Sequence, residues 1–192
     1  MAAKSTLGNM ALCLTAVCLL CSAILGVVYA VTFEPIKAAA RANLEQSLSE
    51  VVPQGCTVNT DADSREMEGV EYQCYEAVDA EGNLCATAVS STVNGFGGSL
   101  TVLVGVMRDG SVCATKVLSH SETPGLGAKC EDSSSAFVKQ FEGFDPSVKK
   151  LSVRKDGGDV DAITASTITS RAYTLAIENA VKLMKKKEAD DE

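Results

Sequence analysis

Tryptophan is absent from this chain of 192 residues, and aromatic side chains make up only 5% of it. The core must therefore be built mainly from Val, Leu, Ile and Ala, with little aromatic surface for stacking nucleic-acid bases. Basic residues are also the minority, since 17 Lys and Arg stand against 25 Asp and Glu, for a formal net charge of −8. Nucleic acid is not an expected partner, because its binding needs clustered basic side chains.

Histidine occurs only once, at His120, and this scarcity argues against several classes of functional site. None of the five cysteines outside the apolar N-terminal run forms a Cys-x-x-Cys motif, and one histidine cannot complete a zinc finger, so no metal site is expected. A hydrolase is not expected either, because the chain lacks Gly-x-Ser-x-Gly and any usefully spaced Cys–His pair. The sequence leaves open the pairing of the five cysteines outside the apolar N-terminal run, which are Cys56, Cys74, Cys85, Cys113 and Cys130.

A long apolar segment near the N-terminus is the most prominent feature that is present. No charged residue occurs between Lys4 and Glu34, and residues 7–31 are almost wholly apolar. A helix needs about 20 apolar residues to cross a bilayer, whereas a cleaved signal peptide has a shorter apolar region. Although residues 28–30 are an acceptable cleavage context, the length favours a retained transmembrane helix over residues 7–31, after a short flank at residues 1–6.

Residues 32–54 are predicted to form a helical stalk. They are rich in Ala, Leu and Glu, and Pro53 is expected to end the helix. Basic residues do not orient the chain in the membrane, because Lys4 on one side is set against Lys37 and Arg41 on the other.

Residues 55–187 are predicted to form a small α+β domain, followed by a charged tail at residues 188–192. Two strand-like runs are each followed by a glycine turn, at Gly82 and Gly110, and by a second strand, which predicts two antiparallel hairpins. Cys85 and Cys113 then occupy equivalent strand positions.

Three further elements are predicted in this domain. Residues 133–144 indicate a short helix with a serine N-cap, and residues 148–155 a further strand. A C-terminal helix is predicted from Thr167 to Lys187. Its expected buried face consists of Ile168, Ala172, Leu175, Ala176, Ala180 and Leu183.

The first polar motif is Asp-Ala-Ile-Thr-Ala-Ser-Thr-Ile-Thr-Ser, from Asp161 to Ser170. In the simplest interpretation its hydroxyls cap the free N–H groups at the start of a helix. A hydroxyl there also lies beside the positive end of the helix dipole, where an attached phosphate would be stabilised. Thr167 has this position, and its small neighbours Ala165 and Ser166 leave room for a phosphate.

The second polar motif is His-Ser-Glu-Thr-Pro-Gly-Leu-Gly, from His120 to Gly127. Its Pro-Gly pair predicts a turn between a strand and a helix without any further function. In the functional interpretation the exposed backbone and Leu126 contact a flat ligand. A lone histidine is more often structural, so no acid or base role is assigned to His120.

Together the two motifs resemble those of the G subunit of the Rnf electron-transport complex, and are similar also to the C subunit of the Na⁺-translocating NADH:quinone reductase. The family pattern H-x-E-T-P-G-L-G matches residues 120–127 without substitution, and D-x-I/V-S/T-G-A-T-x-S/T matches the frame of residues 161–169. The resemblance extends over nearly the whole chain, including the Gly-Phe-Gly-Gly segment, and the compact length favours the Rnf subunit.

The resemblance implies FMN attached to Thr167 through a phosphoester bond that a separate flavin transferase makes. Asp161 and Thr169 would belong to the sequence that this transferase recognises. The implied cofactor contacts are Glu122, Thr123, Gly125, Leu126, Gly127, Thr164, Ala165, Ser166 and Ile168.

The chain departs from the family pattern at two positions, where the usual Gly-Ala before the modified Thr is Ala165-Ser166. Alanine does not easily adopt a positive φ, so the loop that enters the helix is expected to differ slightly. Ser166 adds a second hydroxyl and leaves attachment at that residue as an alternative.

The resemblance also implies a single-pass subunit of the cytoplasmic (inner) membrane, in contact with lipid and other subunits, with its flavin domain on the extracytoplasmic side. Such a complex couples electron transfer between ferredoxin and NAD⁺ to translocation of Na⁺ or H⁺, and enzymatic activity is expected of the complex, while that of the isolated chain is left open. NAD⁺ should bind another subunit, because this chain has no dinucleotide fingerprint. The alternatives are a tethered flavin module that senses redox state or stores FMN, and a scaffold without flavin.

Overall fold

The structure is a computed structural model that describes residues 7–191, with side chains described for residues 7–187. The chain divides into two compact units between Asn43 and Leu44. The helices and strands are α1 (Leu7–Val51), β1 (Thr57–Val58), β2 (Asp63–Met67), β3 (Val70–Val78), β4 (Leu84–Asn94), β5 (Ser99–Met107), β6 (Val112–His120), α2 (Ala136–Lys139) and α3 (Thr167–Asp191). The predicted α+β fold class is confirmed.

The described residues of the first unit all belong to helix α1, which continues into the second unit. By length and composition α1 could cross a membrane. Every side chain from residue 7 to residue 31 is exposed, whereas a surface helix of a globular domain buries one apolar face. Pro35 lies inside this continuous helix, which ends at Val51, just before Pro53.

The last turns of α1 pack against the sheet within the second unit. Leu48 and Val51 are fully buried, in one cluster with Leu103 of β5. Gly105 has no room for a Cβ, because the Val51 carbonyl oxygen lies against its α-carbon. The compact unit that begins at Leu44 therefore contains the end of the segment expected to be a stalk.

A six-stranded antiparallel sheet forms the centre of the second unit. Its strand order is β1-β3-β4-β5-β6, and β2 pairs with β3. The two predicted hairpins are confirmed as β3–β4 and β5–β6. Gly82 and Gly110 have φ of 84° and 79°, which glycine adopts without strain. Residues 95–98 form a third turn, which joins β4 to β5.

Strand β5 is buried on both faces, which explains its nearly continuous apolar sequence. Leu103 faces the end of α1, whereas Val102 and Val104 lie in the larger core with Tyr173 and Ile177 of α3. Ser135 caps α2 as predicted, since its side chain accepts a hydrogen bond from the Val138 N–H at 3.3 Å.

The buried face of α3 was predicted only in part. Ile168 and Leu175 are wrong, because 50% and 46% of their surfaces are exposed. Tyr173 and Ile177 occupy the centre of the core instead, and the Tyr173 hydroxyl donates a hydrogen bond to Thr115 Oγ1 at 2.8 Å. A buried tyrosine needs a partner for its hydroxyl, and β6 supplies it.

The strand predicted over residues 148–155 is wrong. The chain forms a loop there, with an isolated bridge between Val153 and Val160 and a 3₁₀ turn at Arg154–Asp156. Gly158 has no room for a Cβ beside the backbone of Ser152, and the Val160 N–H donates to the Ser152 carbonyl at 3.0 Å. Glycine permits this close approach, so the β-branched residues pair within the loop and not with the sheet.

One disulfide joins Cys56 to Cys85 among the described cysteines. Cys85 and Cys113 are each the second residue of a hairpin's return strand, as expected, but Cys113 is a free thiol. Cys74 and Cys130 are free and buried.

Candidate functional site

The two polar motifs lie next to each other and enclose a cavity of about 370 Å³. One motif follows β6 as a turn, in which the Leu126 N–H donates to the Thr123 carbonyl at 3.2 Å and Gly125 has φ of 78°. The other motif leads into α3. The lining residues are Phe96, Glu122, Thr123, Leu126, Gly127, Ala165, Ser166, Thr167, Ile168 and Thr169.

A second cavity of about 360 Å³ also borders Thr167. Its lining includes Thr164 and two basic residues, Arg154 and Lys155. Lys155 Nζ lies 3.4 Å from Thr167 Oγ1. Of the nine predicted contact residues, seven line the first cavity and Thr164 lines the second, while Gly125 shapes the turn without lining either.

Thr167 is the first residue of α3, where backbone N–H groups lack helical partners and the dipole is positive. Its side chain is half-buried. The neighbouring hydroxyl residues Ser166 and Thr169 are only 7% and 1% exposed. Of these three residues, Thr167 is therefore the most accessible to another enzyme.

Ala165 adopts φ of 62°, although alanine was expected to resist a positive φ. This left-handed conformation costs an alanine on the order of 1–2 kcal/mol. The buried hydroxyl of Ser170 holds the loop in place, since it accepts from the Ile163 N–H at 2.9 Å and donates to the Ser166 carbonyl at 2.9 Å. The surrounding hydrogen bonds thus impose the backbone that glycine would adopt freely.

Glu122 is buried at the first cavity, with 5% of its surface exposed. Its Oε1 accepts a hydrogen bond from the Phe96 N–H at 2.8 Å. Gly95 and Gly127 have no room for a Cβ, because the Glu122 carboxylate lies against both. Gly127 of the second motif and Gly95 of the Gly-Phe-Gly-Gly segment are therefore explained by the space that one carboxylate needs.

Phe96 is a candidate residue that the sequence analysis missed. Its side chain is 68% exposed and lines the cavity together with Leu126 and Ile168, which are 44% and 50% exposed. These three residues form an apolar rim. The Gly-Phe-Gly-Gly segment entered the sequence analysis only as part of the family resemblance, although an aromatic residue between glycines in a chain poor in aromatics was a usable signal for Phe96.

Asp161 and His120 border neither cavity. Asp161 is exposed, and its carboxylate lies 2.9 Å from Arg154. His120 Nδ1 accepts the Glu122 N–H at 3.2 Å, and its Nε2 lies 3.1 Å from Glu131. Asp161 is therefore open to a partner protein, whereas His120 supports the turn.

An ion pair joins α3 to the loop that carries Arg154 and Lys155. Arg171 binds Asp156 through two hydrogen bonds, both of 2.7 Å. The Arg171 guanidinium holds the pKa of the Asp156 carboxyl below its usual range. This pair therefore holds Asp156, the residue that follows Lys155, against the helix that begins at Thr167.

Comparisons with known proteins identify the family of this chain. Residues 95–182 match the FMN-binding domain family, and residues 1–51 match the RnfG N-terminal region. The G subunit of the ion-translocating oxidoreductase complex from Shewanella oneidensis is 35% identical over 85% of this chain and 82% of its own length. The chain belongs to this G-subunit family.

Two further members of the G-subunit family support the assignment. The relative from Shewanella piezotolerans is 33% identical over 94% of this chain and 88% of its own length. That from Cereibacter sphaeroides is 33% identical over 81% of this chain and 74% of its own length. The crystal structure of Shewanella oneidensis NqrC shares the fold, with a TM-score of 0.56 at 16% identity, and covers 78% of this chain and 99% of that chain.

The residues of both cavities lie inside the matched FMN-binding domain, and their chemistry fits FMN. The first cavity offers an apolar rim and a buried carboxylate to a flat ring that carries polar groups. The second offers two basic side chains, next to a helix N-terminus, to a phosphate.

Proposed function

We propose that this member of the G-subunit family is an electron carrier that holds FMN through a phosphoester bond on Thr167. The position of Thr167 carries the proposal, because this residue lines both cavities. The first, with the rim of Phe96, Leu126 and Ile168, is called the apolar cavity, and the second, with Arg154 and Lys155, the basic cavity. Bound FMN supplies the electron chemistry. The chain's own residues fix it in place and limit the access of water.

Each cavity would hold a different part of the cofactor. Phe96, Leu126 and Ile168 would cover the ring, and the fixed turn at Glu122 would set its orientation. Lys155 and the free N–H groups of α3 would neutralise the phosphate. Covalent attachment makes sense for an exposed carrier, since it prevents loss of the cofactor by dissociation.

A separate flavin transferase would make the bond. Asp161 is exposed and suits recognition by this enzyme, as does the half-buried hydroxyl of Thr167. Thr169 is 1% exposed, so the transferase would reach it only before this part of the domain has folded.

The relatives are named as subunits of an ion-translocating oxidoreductase complex. We extend this to the present chain, which would pass electrons within a membrane complex that couples ferredoxin:NAD⁺ electron transfer to Na⁺ or H⁺ translocation. Enzymatic activity would then belong to the complex. Loss of ferredoxin:NAD⁺ electron transfer in membranes that lack this chain is the expected result, whereas unchanged transfer would favour a flavin-storing or redox-sensing module.

The flavin domain would lie on the extracytoplasmic side, with α1 in the cytoplasmic membrane and in contact with lipid. The Cys56–Cys85 disulfide supports this side, because disulfides persist in oxidising compartments. Protease added to spheroplasts should degrade the domain. Protection in spheroplasts, with degradation only after lysis, would contradict the orientation.

The first test is flavin fluorescence in denaturing gels, with intact mass, for protein co-expressed with a flavin transferase. Wild type should fluoresce and carry one added FMN mass, and Thr167→Ala should lose both completely, because no other hydroxyl is as well placed. Ser166→Ala, at the neighbouring hydroxyl, is the matched control and should keep the flavin.

Flavin that persists on Thr167→Ala would move the attachment to another hydroxyl. A wild-type chain without flavin, beside a transferase that modifies another substrate, would rule out the carrier and leave a membrane-anchored scaffold.

A further inference from the structure

The exposed rim of the apolar cavity continues along the outer face of α3. Phe96, Leu126 and Ile168 form the rim. Leu175 follows Ile168 by seven residues, so the two side chains lie on the same face of the helix, about 10 Å apart along its axis. The rim and Leu175 together are called the outer apolar strip.

Neither the fold nor the proposed cofactor accounts for the exposure of Leu175. Its surface is 46% exposed, whereas its neighbours Thr174 and Ala176 are buried in the domain. Leu175 also borders neither cavity, so a bound flavin would not cover it. A single exposed leucine is ordinary, but an apolar surface that is continuous with a binding site indicates an interaction surface.

The charged side chains on this face of α3 are paired within the chain. Arg171, in the middle of the strip's α3 segment, makes two hydrogen bonds to Asp156, both of 2.7 Å. Lys182, further along the helix, lies 2.8 Å from Glu178. The central parts of interfaces between proteins are likewise depleted of charge. The strip therefore complements a partner surface that is apolar and uncharged.

A bilayer and a second copy of this chain fit the strip less well than another subunit does. Helices that lie on a membrane surface present free Lys and Arg beside their apolar face, whereas Arg171 and Lys182 are paired. Two copies that covered each other's cavities would exchange electrons only between identical flavins, which gives no net transfer. The relatives are named as subunits of an oxidoreductase complex, so another subunit is the occupant that an electron carrier requires.

We propose that the outer apolar strip is the docking surface for another subunit of the complex, which presents an apolar, uncharged surface next to its own redox centre. The inference rests on the proposed function, in which the apolar cavity holds the flavin ring. Docking over the rim brings the partner's centre close to the ring, and that centre gains each electron that the flavin loses, or the reverse. Leu175 adds contact outside the cavity, so it tests docking separately from flavin binding.

The first experiment is photo-crosslinking in the complete complex in its membrane, with a benzophenone amino acid in place of Leu175. The matched control carries the same group in place of Val148, which is 79% exposed and borders neither cavity. Mass spectrometry should identify another subunit of the complex in the product from position 175, and this product should be lost at position 148. Products with lipid or a second copy only, or no subunit product at position 175, would overturn the inference.

The second experiment uses Leu175→Gln, since glutamine favours a helix but places in the apolar contact an amide without a partner. In the purified complex, electron exchange between the flavin and the next redox centre should slow about tenfold. Flavin content and midpoint potential should stay at their wild-type values, and Val148→Gln should match wild type throughout. An exchange rate in Leu175→Gln equal to that of wild type would overturn the inference.

The two experiments also separate the failure of this inference from that of the proposed function. Crosslinking does not need the cofactor, so Thr167→Ala should give the same subunit product from position 175. A wild-type chain without attached flavin would overturn the proposed function, whereas a flavin-bearing chain without this product would overturn only the docking surface.

Discussion

At the scale of single residues, the backbone conformation of Ala165 shows how a site tolerates a departure from its family pattern. The sequence correctly predicted a hydroxyl at a helix N-terminus, because local patterns define where a helix begins. It could not predict that Ala165 keeps a positive φ, because Ser170 and the packing of the loop impose it. Nor could it predict how Glu122 is held, because its carboxylate accepts a hydrogen bond from Phe96 in a distant turn.

Ala165→Gly should stabilise the second unit by about 0.5–1 kcal/mol. Relief of the left-handed strain, roughly 1–2 kcal/mol, exceeds the entropy that glycine adds to the unfolded chain, roughly 0.4–1 kcal/mol. Denaturant unfolding of the full chain in detergent measures the change. Ala162→Gly, at a position without a positive φ, is the control and should destabilise.

A loss of stability in Ala165→Gly as large as in Ala162→Gly would show that the left-handed alanine carries no strain.

At the scale of elements, hairpins were predictable and the loop of residues 148–160 was not. Gly82 and Gly110 mark turns between alternating strands, a signal that lies within a few residues. The loop depends on the contact between Gly158 and Ser152, which a strand-like composition conceals. The prediction of the buried face of α3 was partly wrong for a similar reason, since the Tyr173 hydroxyl is hydrogen-bonded to a partner on β6.

The disulfide allows a test with two equivalent strand positions. Cys85→Ser should lower the free energy of unfolding by about 2–4 kcal/mol, because it removes a cross-link between residues 29 apart in sequence. Cys113→Ser, at the corresponding position of β6, should change stability far less. Unfolding in denaturant without reductant measures both.

With reductant, the difference between wild type and Cys85→Ser should disappear. A difference that persists under reducing conditions would assign the effect to packing of the cysteine and not to the cross-link.

At the scale of the whole molecule, the second unit should lose stability in alkali. Burial raises the pKa of both the Cys74 and Cys130 thiols from 9.0 to about 11. Their contribution is fully present below the unfolded pKa, and it is lost as pH rises toward the folded pKa, because the unfolded state releases these protons first. The free energy of unfolding should therefore fall between about pH 9 and pH 11.

The double variant Cys74→Ala and Cys130→Ala should show a shallower fall over the same pH range. An equally steep fall in this variant would assign the alkaline loss to other groups.

The tight fit of Gly95 and Gly127 around Glu122 has a genetic consequence. A side chain at either position would displace the carboxylate as effectively as a mutation of Glu122 itself. Random mutations selected for loss of electron transfer should therefore recur at three separate codons, those of Gly95, Glu122 and Gly127. Two of those codons specify residues that have no functional group of their own.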